Sequence, residues 1–404
     1  MADHPLAASR GTPSIGSQHA ALRPALAVQR LSLTNFRSYA SVEIETTGPP
    51  VVLAGPNGAG KTNLLDALSL LSPGRGLRGA KLSAHTRKGP SSPDATLWAV
   101  AATVSRAGET YEIGTGLTQA SGGAERRQVR LNGAAAQSSA DLGDIVQMLW
   151  LTPSMDRLFT EGASGRRRFL DRLVLGFHPS HARTSLRYDT AMRERARLLQ
   201  FGPRDPAWLD GLESEMAQAG IVVAHARAET LEGLNRALGE RGSLGAFPSA
   251  RLSLAGETDA LVSEQGVKGA EPVFRDRLRA LRMRDAEQGR TGMGPHLSDL
   301  SVRHVQKRTD ARDCSTGEQK ALLVSIVLAV AWELSRRRDG MPPVLLLDEI
   351  AAHLDAERRT ALFEEIVALG TQAWMTGTDL PLFAALRNRA DIFVVNDGRL
   401  ARQE

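Results

Sequence analysis

The chain of 404 residues has a single cysteine, Cys314, which excludes a disulfide scaffold and any metal site built from several thiolates. No run of 18 or more apolar residues occurs, which excludes an apolar transmembrane helix and makes a cytoplasmic protein without a membrane partner the expectation. The first 27 residues lack the apolar core of a signal peptide; small, polar and punctuated by Gly11-Thr12-Pro13-Ser14, they read as a disordered extension. Aromatic residues are scarce at 4%, and lysines number only six (61, 81, 88, 268, 307, 320) against 44 arginines. Fifty basic against 45 acidic side chains leave a net +5, a modest footprint for phosphate-bearing partners. Arginine's planar fork suits phosphate, although genome composition alone can produce the same bias.

What is present is a change of texture along the chain. Val28–Asn35, the alternation at Val42 and Ile44, and Pro50–Ala54 read as strands, and a glycine-rich turn then leads into an apolar helix over Lys61–Leu71. Leu97–Val104, Thr110–Gly116 and Gln128–Asn132 extend the β-rich part, with turns at Ala107-Gly108 and Gly122-Gly123. From Ser164 to about Leu238 the apolar positions take helical spacing, broken at Gly202-Pro203 and Asp205-Pro206. Gly239–Gly269 reads as Gly/Ser-rich with short strand-like stretches, and Arg275–Arg284 as a helix. After Gly294-Pro295 the α/β texture returns: helix Glu318–Arg336, strand Val344–Leu347, helix Ala356–Leu369, and strands Ala373–Met375 and Ile392–Val395.

Gly55-Pro56-Asn57-Gly58-Ala59-Gly60-Lys61-Thr62 matches G-x-x-x-x-G-K-[ST] in full, between a strand and a helix as the motif requires. Its glycines let backbone amides turn toward phosphates, Lys61 would reach the β- and γ-phosphates, and the Thr62 hydroxyl would bind Mg²⁺. The apolar strand Pro343-Val344-Leu345-Leu346-Leu347 ends in Asp348-Glu349, as a Walker B strand does. Asp348 is the second Mg²⁺ residue and Glu349 the general base for an attacking water. ATP and Mg²⁺ are the expected cofactors.

Ser315-Thr316-Gly317-Glu318-Gln319 resembles the S-x-G-x-Q signature of ATP-binding-cassette (ABC) ATPases and opens a helix. That resemblance implies that Ser315 and Gly317 face the phosphate loop of a second copy, sandwiching two ATP in a head-to-tail dimer. Ala351-Ala352-His353-Leu354-Asp355 resembles the superfamily's D-loop, which puts Asp355 at the dimer seam. Gly55 and Ser315 are 260 positions apart and Ser315 and Asp348 only 33, so the large insertion precedes the signature. It is too long for a transporter's nucleotide-binding subunit and has none of the sustained heptads of SMC arms.

Further residues carry a closer resemblance, to the RecF family of DNA replication and repair ATPases, from about Val28 to the C-terminus. They are Leu33-Thr34-Asn35-Phe36-Arg37-Ser38-Tyr39, Leu71-Ser72-Pro73-Gly74-Arg75, Thr152-Pro153, Gly165-Arg166-Arg167-Arg168-Phe169-Leu170-Asp171 and Gly294-Pro295-His296. Two departures stand out: Leu297 and Ser298 replace the Arg and Asp that come after G-P-H in the family, and Thr376-Gly377-Thr378-Asp379 has no switch histidine. A threonine or a water would then meet the γ-phosphate, and Gln147 is the nearest candidate for the Q-loop glutamine.

The resemblance implies an α/β protein: an ABC-type ATPase head (P-loop mixed sheet plus antiparallel β subdomain) with an inserted mostly helical lobe. The expected division is a 1–27 extension, a head of 28–160 and 290–404, and a lobe of 161–289. It also implies a slow, DNA-stimulated ATPase that dimerises with ATP on double-stranded DNA near single-strand gaps, with single-stranded DNA a further ligand, and that helps RecA loading with RecR in gap repair and the SOS response. Arg37, in the element beside the phosphate loop, would contact nucleotide. An ATP-gated protein-interaction clamp with incidental DNA contact is the alternative.

Charge is also local. Between Ala163 and Arg204 ten arginines face three acids, a net +7, and 205–235 then carries six acids against one arginine. The functional reading is a phosphate-tracking surface that includes Arg166, Arg167, Arg168, Arg193, Arg195 and Arg197; the other is a solvated face, or pairing between the two halves.

Overall fold

The computed structural model describes residues 24–88, 97–119, 125–202, 205–241 and 245–403; the expected extension up to residue 23, the Gly122-Gly123 turn and Arg204 lie outside them. In chain order come β1 (Leu26–Phe36), β2 (Tyr39–Glu45), β3 (Val51–Ala54), α1 (Lys61–Ser69), β4 (Ala99–Arg106), β5 (Glu109–Gln119), β6 (Glu125–Leu131), β7 (Ala134–Ala135) and β8 (Met148–Leu151). The insertion supplies α2 (Ala163–Phe177), α3 (His181–Phe201), α4 (Pro206–Arg241), β9 (Ala250–Ala255), α5 (Glu257–Ala280) and α6 (Arg282–Gln288). The last third adds β10 (Asp299–His304), β11 (Thr309–Asp310), α7 (Thr316–Arg337), β12 (Val344–Leu347), α8 (Ala356–Leu369), β13 (Ala373–Gly377), β14 (Asp391–Asn396) and β15 (Arg399–Gln403). Among the described residues no helix is long and apolar enough to cross a membrane.

Two six-stranded sheets carry the head. One is antiparallel, in the order β2-β1-β4-β5-β6-β7; Ala107-Gly108 and Asn132-Gly133, each with both residues at positive φ, turn its hairpins. The other runs β15-β14-β3-β13-β12-β8 and is parallel except for β15. Its central strands are apolar throughout because both faces are covered. Val51 and Leu53 join a core with the antiparallel sheet and α1, while Val52 and Ala54 join a core with α7 and α8. Val344 and Leu346 alternate with Leu345 and Leu347 in the same way. β8 has no counterpart among the expected strands: it sits inside the apolar stretch before Pro153, where period alone does not separate strand from helix.

The insertion divides differently from a simple lobe. Its proximal part, α2, the C-terminal half of α4 and β9, shares the α7 core through Phe169, Leu173, Leu231, Leu234 and Leu252. β9 also pairs with β10 across the expected 289/290 boundary. Only the distal part, α3, the first half of α4 and α5, has a core of its own around Tyr188, Met216, Ile221 and Phe274. The strand-like reading of 239–269 is corrected beyond β9. α5 starts at Glu257, with Glu257 and Asp259 favouring its N-terminus, and runs through a kink at Gly266 (φ 67°) that hides the period.

Candidate active site

Strand order builds the site. β3 delivers the glycine-rich loop and β12 delivers Asp348-Glu349, but β13 lies between them, so the end of β13 separates the two motifs. All three ends sit at the C-terminal edge of the parallel sheet, where such sheets bind ligands. Gly55 leaves β3 at φ 153°, and a Cβ there would stand 2.1 Å from the Val395 carbonyl oxygen. Pro56, Asn57 and Gly58 form the exposed tip of the loop, and Ala59 and Gly60 are buried beneath it. The Lys61 ammonium donates to the carbonyls of Gly55 (2.7 Å) and Pro56 (2.9 Å), curling inside its own loop. Burial holds the Lys61 pKa below the ordinary lysine value, against the opposing pull of Glu349 and then Asp348.

The Thr62 hydroxyl donates to both Asp348 oxygens, at 2.9 and 3.1 Å. From the middle strand, the buried Thr376 hydroxyl donates to Asp348 Oδ1 at 2.7 Å and accepts the Glu349 backbone N–H at 2.8 Å. Glu349 has left-handed backbone, φ 52° and ψ 20°, a conformation costing about 1–2 kcal/mol in a non-glycine residue. Asp348 N–H donates to the Leu151 carbonyl at 2.9 Å, tying the acidic end of β12 to β8.

The signature residues are placed elsewhere. Ser315 caps α7 in a capping box: its Oγ accepts from Glu318 N–H (3.4 Å), and Glu318 accepts from Ser315 N–H (3.0 Å). Lys307 pairs with Glu318 and, with the Ser315 N–H, holds its carboxyl down to about 2. Ser315, Thr316 and Gly317 are exposed, and among the described residues no hydrogen bond joins them to 55–62. Asp355 is likewise exposed, accepting from Arg358 N–H at the start of α8 (2.8 Å). Lys61, Thr62, Asp348 and Glu349 are thus gathered at the sheet edge, whereas Ser315, Gly317 and Asp355 are exposed at helix starts and hydrogen-bonded only locally among the described residues.

The chain is 50% identical over 373 residues to the DNA replication and repair protein RecF of Agrobacterium fabrum, covering 92% of this chain and 98% of that protein. The RecF protein of Mesorhizobium japonicum is 48% identical over 93% of this chain and 98% of its own. The family described as RecF/RecN/SMC N terminal domain matches residues 27–399. The chain belongs to the RecF family. Its fold is that of the recombination mediator protein RecF solved with an ATP analogue in the RecFOR pathway: TM-score 0.79 at 22% identity, over 96% of this chain and all of that one. It resembles more distantly the Smc head domain of Pyrococcus furiosus, with a TM-score of 0.52 at 17% identity over 94% of this chain and 96% of that one. The ABC-type ATPase head is thus the fold of this RecF-family chain.

Several expectations for individual residues are corrected. The Arg37 guanidinium is engaged with protein groups, the fully buried Asp66 of α1 (2.9 Å) and the Ala84 carbonyl (2.8 Å), while its neighbours Ser38 and Tyr39 are the residues that stand against Gly60 of the loop. Burial alone would raise the Asp66 pKa, but the neighbouring His85 ring (3.4 Å) and the charges of Arg37 and Arg78 outweigh it and hold the carboxyl below the usual range. Gln147 precedes β8, so it lies at the sheet edge opposite Asp348, and its side chain donates to the Gly176 carbonyl (2.9 Å). Among the six arginines offered to DNA, Arg195 is wholly buried, bound to Glu213 (2.9 Å), Asp285 (2.6 Å) and the Leu278 carbonyl (2.7 Å). Arg166 is half-buried in a two-bonded pair with Asp299 (2.7 and 2.8 Å), and Arg167 donates to the Ser298 carbonyl (2.8 Å). Arg168, Arg193 and Arg197 are exposed.

His296 of the G-P-H segment is structural too. It meets Tyr188 Oη (2.6 Å) at Nδ1 and the Thr291 carbonyl (3.1 Å) at Nε2, and burial lowers its pKa. With Nε2 against a carbonyl, the proton belongs there and the Tyr188 hydroxyl donates to Nδ1. Two features went unread in the sequence: the double role of Thr376, and the pair between buried Lys320 of α7 and Asp156 (3.2 Å), which ties the signature helix to the loop after β8. A polar residue ending an otherwise buried apolar strand was the available signal for Thr376; nothing local marks Asp156.

Proposed function

We propose that this chain is a RecF-type ATPase of replication, recombinational gap repair and the SOS response. Two copies, each carrying ATP, join head to tail on duplex DNA beside a single-strand gap and, with RecR, help load RecA; hydrolysis is slow and DNA-stimulated. The observation that carries this reading is the split constellation. Lys61, Thr62, Asp348 and Glu349 converge on one edge, while Ser315 and Gly317 are left exposed at a helix start with no hydrogen bond to it. Such a division leaves each site incomplete until a second copy supplies its helix cap.

The donor set suits Mg²⁺, a hard cation: a hydroxyl and a carboxylate oxygen already meet at 2.9 Å. Thr62 and Asp348 would hold the ion, which when bound neutralises charge on the β- and γ-phosphate oxygens. The amides of 55–62 and the N-terminus of α1 take the phosphates, and Lys61 exchanges its two carbonyl partners for phosphate oxygens. Glu349 accepts the proton of the attacking water. The Ser315 oxygen already accepts from Glu318 N–H, so its own proton remains to donate to the partner's γ-phosphate.

For DNA, the exposed face of α3 supplies Arg183, Arg193 and Arg197, with Arg168 on α2. These are phosphate contacts without base readout, so affinity falls with salt.

Light scattering with and without ATP–Mg²⁺ and gapped duplex tests the whole. The expected result is a monomer that doubles its mass with ATP, binds duplex more tightly, and does neither as Lys61→Arg. A wild-type protein that stays monomeric with ATP overturns the dimer. Duplex affinity indifferent to ATP favours the clamp whose DNA contact is incidental.

A further inference from the structure

Thr376 occupies an unusual place: the last turn of the strand between the two ATP motifs, fully buried, with one hydroxyl serving both acidic residues. The hydroxyl has one proton and it goes to Asp348 Oδ1; a lone pair takes the Glu349 N–H. The first bond fixes the carboxylate plane of Asp348 and leaves Oδ2 the freer oxygen. The second ties down a backbone that is otherwise unfavourable, because Glu349 sits at φ 52°. Thr62 cannot do this alone: its hydroxyl oxygen is the group offered to the cation, and turning toward it weakens the present bond to Asp348.

We infer that Thr376 is a positioning residue that sets Asp348 for the cation and Glu349 for the water, resting on the ATPase reading above. The position where other ABC ATPases present a histidine to the phosphate thus has two threonines with separate tasks. Thr376 points inward to the two carboxylate residues, while Thr378, two residues on and half-exposed, donates to Asp379 at 2.9 Å. The inference concerns how the acidic pair is held, not which group touches the γ-phosphate.

The test compares Thr376→Val and Thr376→Ala, which lack the hydroxyl, with Thr376→Ser, which keeps it. A hydrogen bond to a charged group is lost together with a buried N–H partner. The hydroxyl-free variants should therefore lose about ten-fold or more in kcat, with KM for ATP changed far less, and need several-fold more Mg²⁺ for half-maximal turnover. Independently of nucleotide, hydrogen exchange of a peptide spanning 346–352 should be about ten-fold faster in those variants, and Thr376→Ser should recover every readout. Circular dichroism and Tm select the folded variants, and the alanine form, which cannot overpack, stands in should the valine form not fold. Wild-type values of kcat, Mg²⁺ requirement and exchange in a folded hydroxyl-free variant overturn the inference, as does a serine variant that falls with the others. Should the wild type fail to hydrolyse ATP, the ATPase reading fails, while the exchange measurement still decides whether Thr376 holds Glu349.

Discussion

Arg195 and Arg197 are two residues apart on α3 and call for opposite outcomes when replaced by alanine. Arg195 is completely buried, and its guanidinium binds Glu213, Asp285 and the Leu278 carbonyl at once. Removing it leaves Glu213 with Arg282 (2.9 Å) as a remaining cation, so that charge stays paired. Among the described residues Asp285 keeps only the Gly292 N–H (2.9 Å) and is the orphan. Breaking a buried pair by removing one partner costs 3–5 kcal/mol; with one of two acids still compensated, about 3 kcal/mol is expected, roughly a 150-fold fall in the folded-to-unfolded ratio. Guanidinium chloride unfolding followed by circular dichroism reads this, and tryptophan fluorescence separates the distal helices from the head if they melt apart. Arg193→Ala and Arg197→Ala together should leave the midpoint within about 0.5 kcal/mol of wild type and lower the salt slope of duplex binding by about 2. An Arg195→Ala protein as stable as wild type but weaker on DNA would refute the reasoning and return that residue to the DNA face.

Glu349→Gln keeps shape and the backbone bond to Thr376 but removes the proton acceptor, so ATP should bind and accumulate a stable dimer without turnover; gel filtration showing a monomer with ATP would contradict its role. Asp66 has a depressed carboxyl pKa in the folded chain, so its contribution is present above the unfolded value near 4 and is lost as pH falls through the folded value. Urea midpoints measured from pH 7 down to pH 3 should therefore drop less steeply for Asp66→Asn than for wild type, and parallel curves would show that the Arg37–Asp66–His85 cluster does not drive the acid limb.

The strands that carry the chemistry were legible because both faces of the parallel sheet are covered. Val51–Ala54 and Val344–Leu347 are continuous apolar runs, and the residues just past the C-terminal end of such a run stand in the binding crevice. Sheet order was not legible. Nothing in the chain says that β13 slots between β3 and β12, and that neighbourhood alone turns Thr376 from a strand-end residue into a partner of Asp348. Strand polarity would have disqualified Gln147, since a residue entering a parallel strand is four residues, about 13 Å, from the edge where Asp348 emerges. α5 was obscured by Gly266, Gly269 and Pro272, although Ala270, Phe274 and Leu278 repeat every four residues and are all buried.

The arginines of α3 show that a charge sum and a helical phase answer different questions. Beyond His181 in its first turn, the buried positions of this helix are Tyr188, Ala191, Arg195, Leu198 and Leu199, and their spacing of 3, 4, 3 and 1 is one continuous stripe. Arg195 lies in the middle of that stripe, so phase alone placed its guanidinium in the interior and called for acidic partners, which α4 and α6 supply as Glu213 and Asp285. Arg183, Arg187, Arg193 and Arg197 fall off the stripe and are exposed. Part of the apparent +7 is therefore neutralised internally by the acidic segment next in the chain, Arg187 with Glu215 as well as Arg195 with Glu213. Pairing between the two halves is realised on both faces of the helix, by buried Arg195 with Glu213 and by exposed Arg187 with Glu215, and the phosphate-tracking proposal is confined to the exposed Arg183, Arg193 and Arg197.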